Sequence, residues 1–101
     1  MVQKKIAAVT HRVRIFYSGR VQGVGFRYTA EKLALDLRLV GWVKNLPDGR
    51  VELVCEGSKE VLELLLKQIG ESALGPHIKK TACDWQKPTN EFKDFSVEFH
   101  L

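Results

Sequence analysis

Residues 12–37 read RVRIFYSGRVQGVGFRYTAEKLALDL, and the fold turns on how this stretch divides. Its first six residues alternate: Val13, Ile15 and Tyr17 fall on one side of an extended chain, Arg12, Arg14 and Phe16 on the other. A two-residue period predicts a strand over Arg12 to Tyr17. Ser18 to Gly25, rich in glycine, interrupts it. From Phe26 the period changes, because Phe26, Ala30, Leu33, Ala34 and Leu37 recur at helical spacing. Phe26 to Leu37 is therefore an amphipathic helix. A strand thus passes through a glycine loop directly into a helix.

Working outward, Val40 to Leu46 and Arg50 to Glu56 form a second extended pair around Pro47-Asp48-Gly49. Proline presets the turn and glycine accepts positive φ, so the pair is a hairpin. Gly57 ends its second strand, and Ser58 is an N-cap with Glu60 at the positive end of the next helix. Val61, Leu62, Leu65, Leu66 and Ile69 give that helix its buried stripe, and Gly70 to Pro76 breaks it. Ile78 to Trp85 is a fourth strand and Phe95 to Phe99 a short fifth. The order is β-α-β-β-α-β with an added terminal strand. That is an α+β, ferredoxin-like sandwich: an antiparallel sheet, two helices on one face, and a short additional C-terminal strand. In this fold the first strand lies between the third and fourth. We expect residues 1–10 to be a flexible arm and residues 11–101 to be the domain.

The 101 residues suffice for one core, and 45% hydrophobic with 28% charged residues is the balance of a globular chain rather than a disordered one. No apolar run approaches a membrane span, and Ile6 to Val9 is too short for a signal-peptide core. Sixteen basic against twelve acidic residues give a net charge of +4, which favours anionic partners without implying nucleic acid. The two cysteines, Cys55 and Cys83, match no zinc or redox spacing. We expect both to be free in a reducing cytoplasm.

The residues from Gly19 to Arg27 hold the most chemistry. Three glycines allow successive N–H groups to converge, and such a nest at a helix N-terminus binds a phosphate-sized anion. Arg27 in the first helical turn would add a two-pronged grip. No Gly-Lys-Ser/Thr follows, so this is not a Walker A loop, and Tyr28 breaks the dinucleotide pattern. A flexible connection with a solvated arginine is the competing reading. In Gly41-Trp42-Val43-Lys44-Asn45, alternation sets Asn45 on the face of core-directed Val43. Either Asn45 bonds the backbone of the Pro47-Asp48-Gly49 turn, or it holds a water or an anion. Trp42 is read as packing. His11, His77 and His100 are far apart in sequence, and no Cys/His/Asp/Glu cluster suggests a metal.

At these two segments the chain resembles the acylphosphatase family. Residues 21–27 (VQGVGFR) are similar to its first signature, and residues 41–45 (GWVKN) with 49–51 (GRV) to its second. The resemblance spans nearly everything after the arm, and the Leu46-Pro47-Asp48-Gly49 turn is similar to that of bacterial and archaeal members. It implies hydrolysis of the carboxyl–phosphate anhydride of small acyl phosphates to carboxylate and inorganic phosphate. Arg20, Val21, Gln22, Gly23, Val24 and Gly25 would bind the phosphoryl group through backbone N–H donors, together with Arg27. Asn45 would position the attacking water, so the catalytic pair is Arg27 and Asn45, with no metal, cofactor or covalent intermediate. The expected partners are the acyl phosphate and, at the loop, inorganic phosphate or sulfate. Nucleic acid and membrane are not expected, and the state is monomeric. An RNA-binding module would need stacking aromatics on its central strands, and residues 50–56 contain none. A head domain of a hydrogenase-maturation protein is the other alternative. The end at Leu101 and the missing zinc-ligand cysteines lead us to expect a free-standing enzyme.

Overall fold

The computed structural model describes residues 8–99. The elements are β1 (His11–Gly19), α1 (Phe26–Asp36), β2 (Val40–Asn45), β3 (Val51–Gly57), α2 (Lys59–Glu71), a 3-10 turn at Gly75–His77, β4 (Ile78–Gln86) and β5 (Phe95–Glu98). The ferredoxin-like α+β fold read from the sequence is the fold observed. Of the expected arm, residues 1–7 lie outside the described residues, as do His100 and Leu101. Ala8, Val9 and Thr10 are exposed, and the Thr10 N–H donates to the Gly57 carbonyl at 3.0 Å.

The strand order is β4-β1-β3-β2-β5, with β1 between β3 and β4 as expected. Cys55 and Cys83 are free, on strands separated by β1. One feature corrects the expectation of an antiparallel sheet: β5 pairs in parallel with β2, so the sheet is mixed. The reason is directional. β1 and β2 both run antiparallel to β3, and β4 runs antiparallel to β1. A strand that reverses after β4 therefore runs with β1 and β2. Placed beside β2 at the far edge, it can only be parallel.

The helices cover one face of the sheet. Phe26, Ala30 and Ala34 of α1 and Leu62, Leu65 and Ile69 of α2 are buried against Val13, Ile15, Tyr17, Val43, Leu53 and Cys55. Ser58 Oγ accepts from the Val61 N–H, as its capping position required. Gly41, at φ 145°, brings β2 so close to β3 that a Cβ there would collide with the Val54 carbonyl oxygen. The second helix runs through Gly70 to Glu71 and turns at Ser72, whose N–H and Oγ both donate to the Ile69 carbonyl.

A group unremarked in the sequence determines where the β4–β5 connection runs. Glu56, on the face of β3 away from the helices, is fully buried. Its carboxylate accepts from Thr89 N (2.8 Å), Asn90 N (2.9 Å), Thr89 Oγ1 (3.0 Å) and Arg12 Nη1 (3.1 Å). Arg12 also reaches Glu91 Oε1 at 2.8 Å and lies over the Phe92 ring. The crossing segment is thus latched to the sheet. Burial pushes the Glu56 pKa up, but the bonds from Thr89, Asn90 and Arg12 outweigh it and leave the carboxyl below its ordinary value. A depressed carboxyl contributes stability that is complete above the unfolded value near 4.5 and is lost as pH falls through the folded one. Glu56→Gln is expected to cost about 3 kcal/mol at neutral pH, read from urea midpoints. It should also flatten the acid limb of stability against pH. An unchanged acid limb would remove Glu56 from that account.

Candidate active site

The loop between β1 and α1 is held at both ends. Arg20 N donates to the His77 carbonyl at 3.0 Å, and Val21 is buried. Gly23 and Gly25 adopt φ of 77° and 75°, the left-handed region in which glycine carries no Cβ penalty. Gly25 is the N-cap of α1 and offers no side chain to its first N–H groups. Those donors therefore have no capping side chain, and an uncapped helix N-terminus can bind an anion.

Beside them is a cavity of about 280 Å³ lined by Val21, Gly23, Gly25, Phe26, Arg27, Tyr28 and Asn45. Arg27 and Asn45, on different elements, meet here. Arg27 is half-buried. Its Nη1 donates to the Glu98 carbonyl at 3.4 Å, and its guanidinium lies over the Phe99 ring at 4.8 Å. Among the described residues no carboxylate pairs with it, whereas Arg12, Arg14 and Arg50 each have an acidic partner. Asn45 Oδ1 is buried without a hydrogen-bond partner among the described residues. Buried polar groups are nearly always satisfied, so an orphan in a cavity wall invites a ligand or water.

The turn reading of Asn45 is not what the hairpin shows. Its closing carbonyls are held by Gln22 instead, whose Nε2 donates to Leu46 O at 2.7 Å and to Arg50 O at 2.9 Å. The Gln22 side chain therefore ties the glycine loop to the hairpin that carries Asn45. Arg20 and Val24 do not line the cavity: Arg20 is exposed, and Val24 packs partly buried against the core. Tyr28 and Phe99, the first in the cavity wall and the second under the guanidinium, were not assigned to the site by sequence reasoning. Tyr28 follows Arg27 on the first turn of α1, a signal that could have placed it; Phe99 carried none. Gln22→Ala is expected to lower kcat about tenfold by loosening Asn45 against the loop. Gln22→Glu, which keeps the shape but loses the donor, should behave the same. A Gln22→Glu enzyme as fast as wild type would show that the tie does not position Asn45.

Among the described residues no group of three or more His, Cys, Asp and Glu could hold a metal ion, and no helix is long and apolar enough to cross a membrane.

Comparison with known proteins identifies the family. The acylphosphatase family model matches residues 13–97. An acylphosphatase of Roseiflexus sp. is 44% identical over 89 residues, covering 85% of this chain and 92% of that one. Another, of Trichormus variabilis, is 43% identical over 77 residues, 76% of each chain. The crystal structure of acylphosphatase from Bacillus subtilis superposes with a TM-score of 0.81 at 33% identity, over 87% of this chain and 98% of that one. A match of this extent leaves no ambiguity of kinship: the chain belongs to the acylphosphatase family and is a hydrolase acting on acyl phosphates.

Proposed function

We propose that the backbone N–H groups of the loop from Val21 to Gly25 and the Arg27 guanidinium bind the phosphoryl group of a small acyl phosphate, the Arg20 N–H being held by the His77 carbonyl instead, and that Asn45 positions the water that attacks it. The observation that carries this reading is the pairing, in one cavity, of an arginine that has no carboxylate partner among the described residues and a buried carboxamide oxygen that has no hydrogen bond among them. Phosphoryl transfer asks the protein chiefly for positioning and charge stabilisation. The nest donors and Arg27 would hold the equatorial oxygens, where charge accumulates.

Asn45 can accept a hydrogen bond from the water and orient it, but it cannot take its proton. The proton passes to the substrate phosphate or to solvent. The P–O bond to the acyl group breaks, and the carboxylate leaves with the electron pair. A carboxylate is already a good leaving group and needs no acid. The reaction on this reading uses neither metal nor covalent intermediate. The protein acts as a monomer, and free Cys55 and Cys83 support a reducing, cytoplasmic setting.

Benzoyl phosphate hydrolysis tests the reading directly. Wild-type protein should be active after exhaustive treatment with a chelator. Orthophosphate and sulfate should inhibit competitively. Activity that disappears with the chelator and returns with a divalent cation would overturn the metal-free route. Inhibition that raises no KM would put the anion elsewhere.

A further inference from the structure

A second cavity, of about 240 Å³, lies between the C-terminal end of α2 and the edge strand β4. Tyr17, Leu66, Gly70, Ile78, Thr81 and Cys83 line it, and it shares no residue with the phosphate-loop cavity. It exists because the helix layer stops short of β4. The register places Thr81 and Cys83 opposite Tyr17 and Ile15, on the helix-side face, where both are exposed. α2 presents Leu66 and Gly70 there, and a Cβ at Gly70 would meet nothing within 4 Å. Gly75, also in the wall, closes the end by lying against the Gly70 carbonyl.

One group in this wall is unsatisfied. Tyr17 is 2% exposed, and its hydroxyl has no hydrogen-bond partner among the described residues. A buried tyrosine hydroxyl ordinarily finds a partner, and one left without it carries a desolvation cost. Burial first, then the nearby thiols of Cys83 and Cys55, push its pKa up, so it remains a neutral donor at every working pH. The Tyr17 ring packs on Phe26, with centroids 4.9 Å apart, and Phe26 stands behind the phosphate loop. An aromatic pair therefore separates the two cavities.

We propose that this cavity is a second binding site, for a small uncharged molecule with an apolar body and one hydrogen-bond-accepting oxygen. The lining has no basic side chain to hold an anion, in contrast to the site at Arg27. The Tyr17 hydroxyl would donate a hydrogen bond to that oxygen, and the apolar body would lie on Leu66 and Ile78. An apolar cavity of roughly 150 Å³ accommodates benzene, so this one has room for a benzene ring with a short carbonyl substituent.

Acetophenone, with ethylbenzene as the analogue lacking the oxygen, probes the site in amide-resolved NMR titrations of the intact chain. Acetophenone should shift the amides of Gly70, Gly75, Thr81 and Cys83 saturably, and ethylbenzene should bind more weakly at the same amides. Tyr17→Phe should weaken acetophenone about tenfold while keeping the ring. Gly70→Leu, which fills the cavity, should abolish its binding. No saturable shift at those amides, or equal acetophenone affinity in Tyr17→Phe and wild type, overturns the proposal. If Tyr17→Phe does not fold, equal affinity of acetophenone and ethylbenzene for wild type overturns it as well.

Discussion

Arg27→Ala is expected to reduce kcat/KM for benzoyl phosphate by about a thousandfold or more, with little change in stability. The magnitude follows from the role: in phosphoryl transfer, one arginine on the migrating group contributes roughly a thousandfold or more. The small stability effect follows from the surroundings. The guanidinium is half-buried, makes one long bond to the Glu98 carbonyl and rests on an exposed Phe99. Little packing is lost with it. Because the same group would hold product, orthophosphate inhibition should disappear together with activity. Arg27→Lys separates charge from geometry. It keeps a cation but loses the planar fork that matches two phosphate oxygens, so only a minor part of the rate should return. Folded Arg27→Ala protein with wild-type kcat/KM would sink the assignment.

Asn45→Ala is expected to lower kcat by about a hundredfold or more while leaving the inhibition constant for orthophosphate nearly unchanged. Misplacing a reactant by about an ångström costs on that scale. The split between rate and anion affinity distinguishes a residue that holds water from one that holds phosphate. Stability should not fall, because the Asn45 carboxamide oxygen has no hydrogen bond among the described residues to lose. Removing a buried unsatisfied group is neutral or favourable. A large drop in orthophosphate affinity would make Asn45 an anion ligand instead. Unchanged kcat would remove it from the chemistry.

The elements of the site were legible in the sequence where local rules act. The strand-to-helix passage through Gly19, Gly23 and Gly25 is local, because only glycine adopts those positive φ values without penalty. The Pro47-Asp48-Gly49 hairpin and the Ser58 cap are local for the same kind of reason. Alternation set Asn45 on the core-directed face of β2, and the cavity wall is where the structure holds it.

The contacts that were not legible join residues far apart in the chain. Nothing near Gln22 says that its amide will reach Leu46 and Arg50, since that depends on the loop meeting the hairpin end. No residue near Glu56 in the chain marks it as buried. Its burial exists only because the segment after β4 crosses over it. The two readings of Asn45, a turn-backbone partner or a water or anion, differed in a partner, and in the fold it is Gln22 that bonds the Leu46 and Arg50 carbonyls at the hairpin end.

The sequence by itself determined the element order, the helical and strand faces, the glycine-rich passage from β1 to α1, and the places of Arg27 in the first helical turn and Asn45 on the core-directed strand face. Each of these follows from backbone conformation or from side-chain period over a few residues. Only the tertiary structure decided that Arg27 and Asn45 share one cavity, that β5 runs parallel to β2, and that Glu56 pins the crossing between the sheet edges. Those outcomes depend on which strands become neighbours. Pairing of that kind is chosen by the burial and hydrogen bonding of the whole sheet at once, and no window of the sequence contains it.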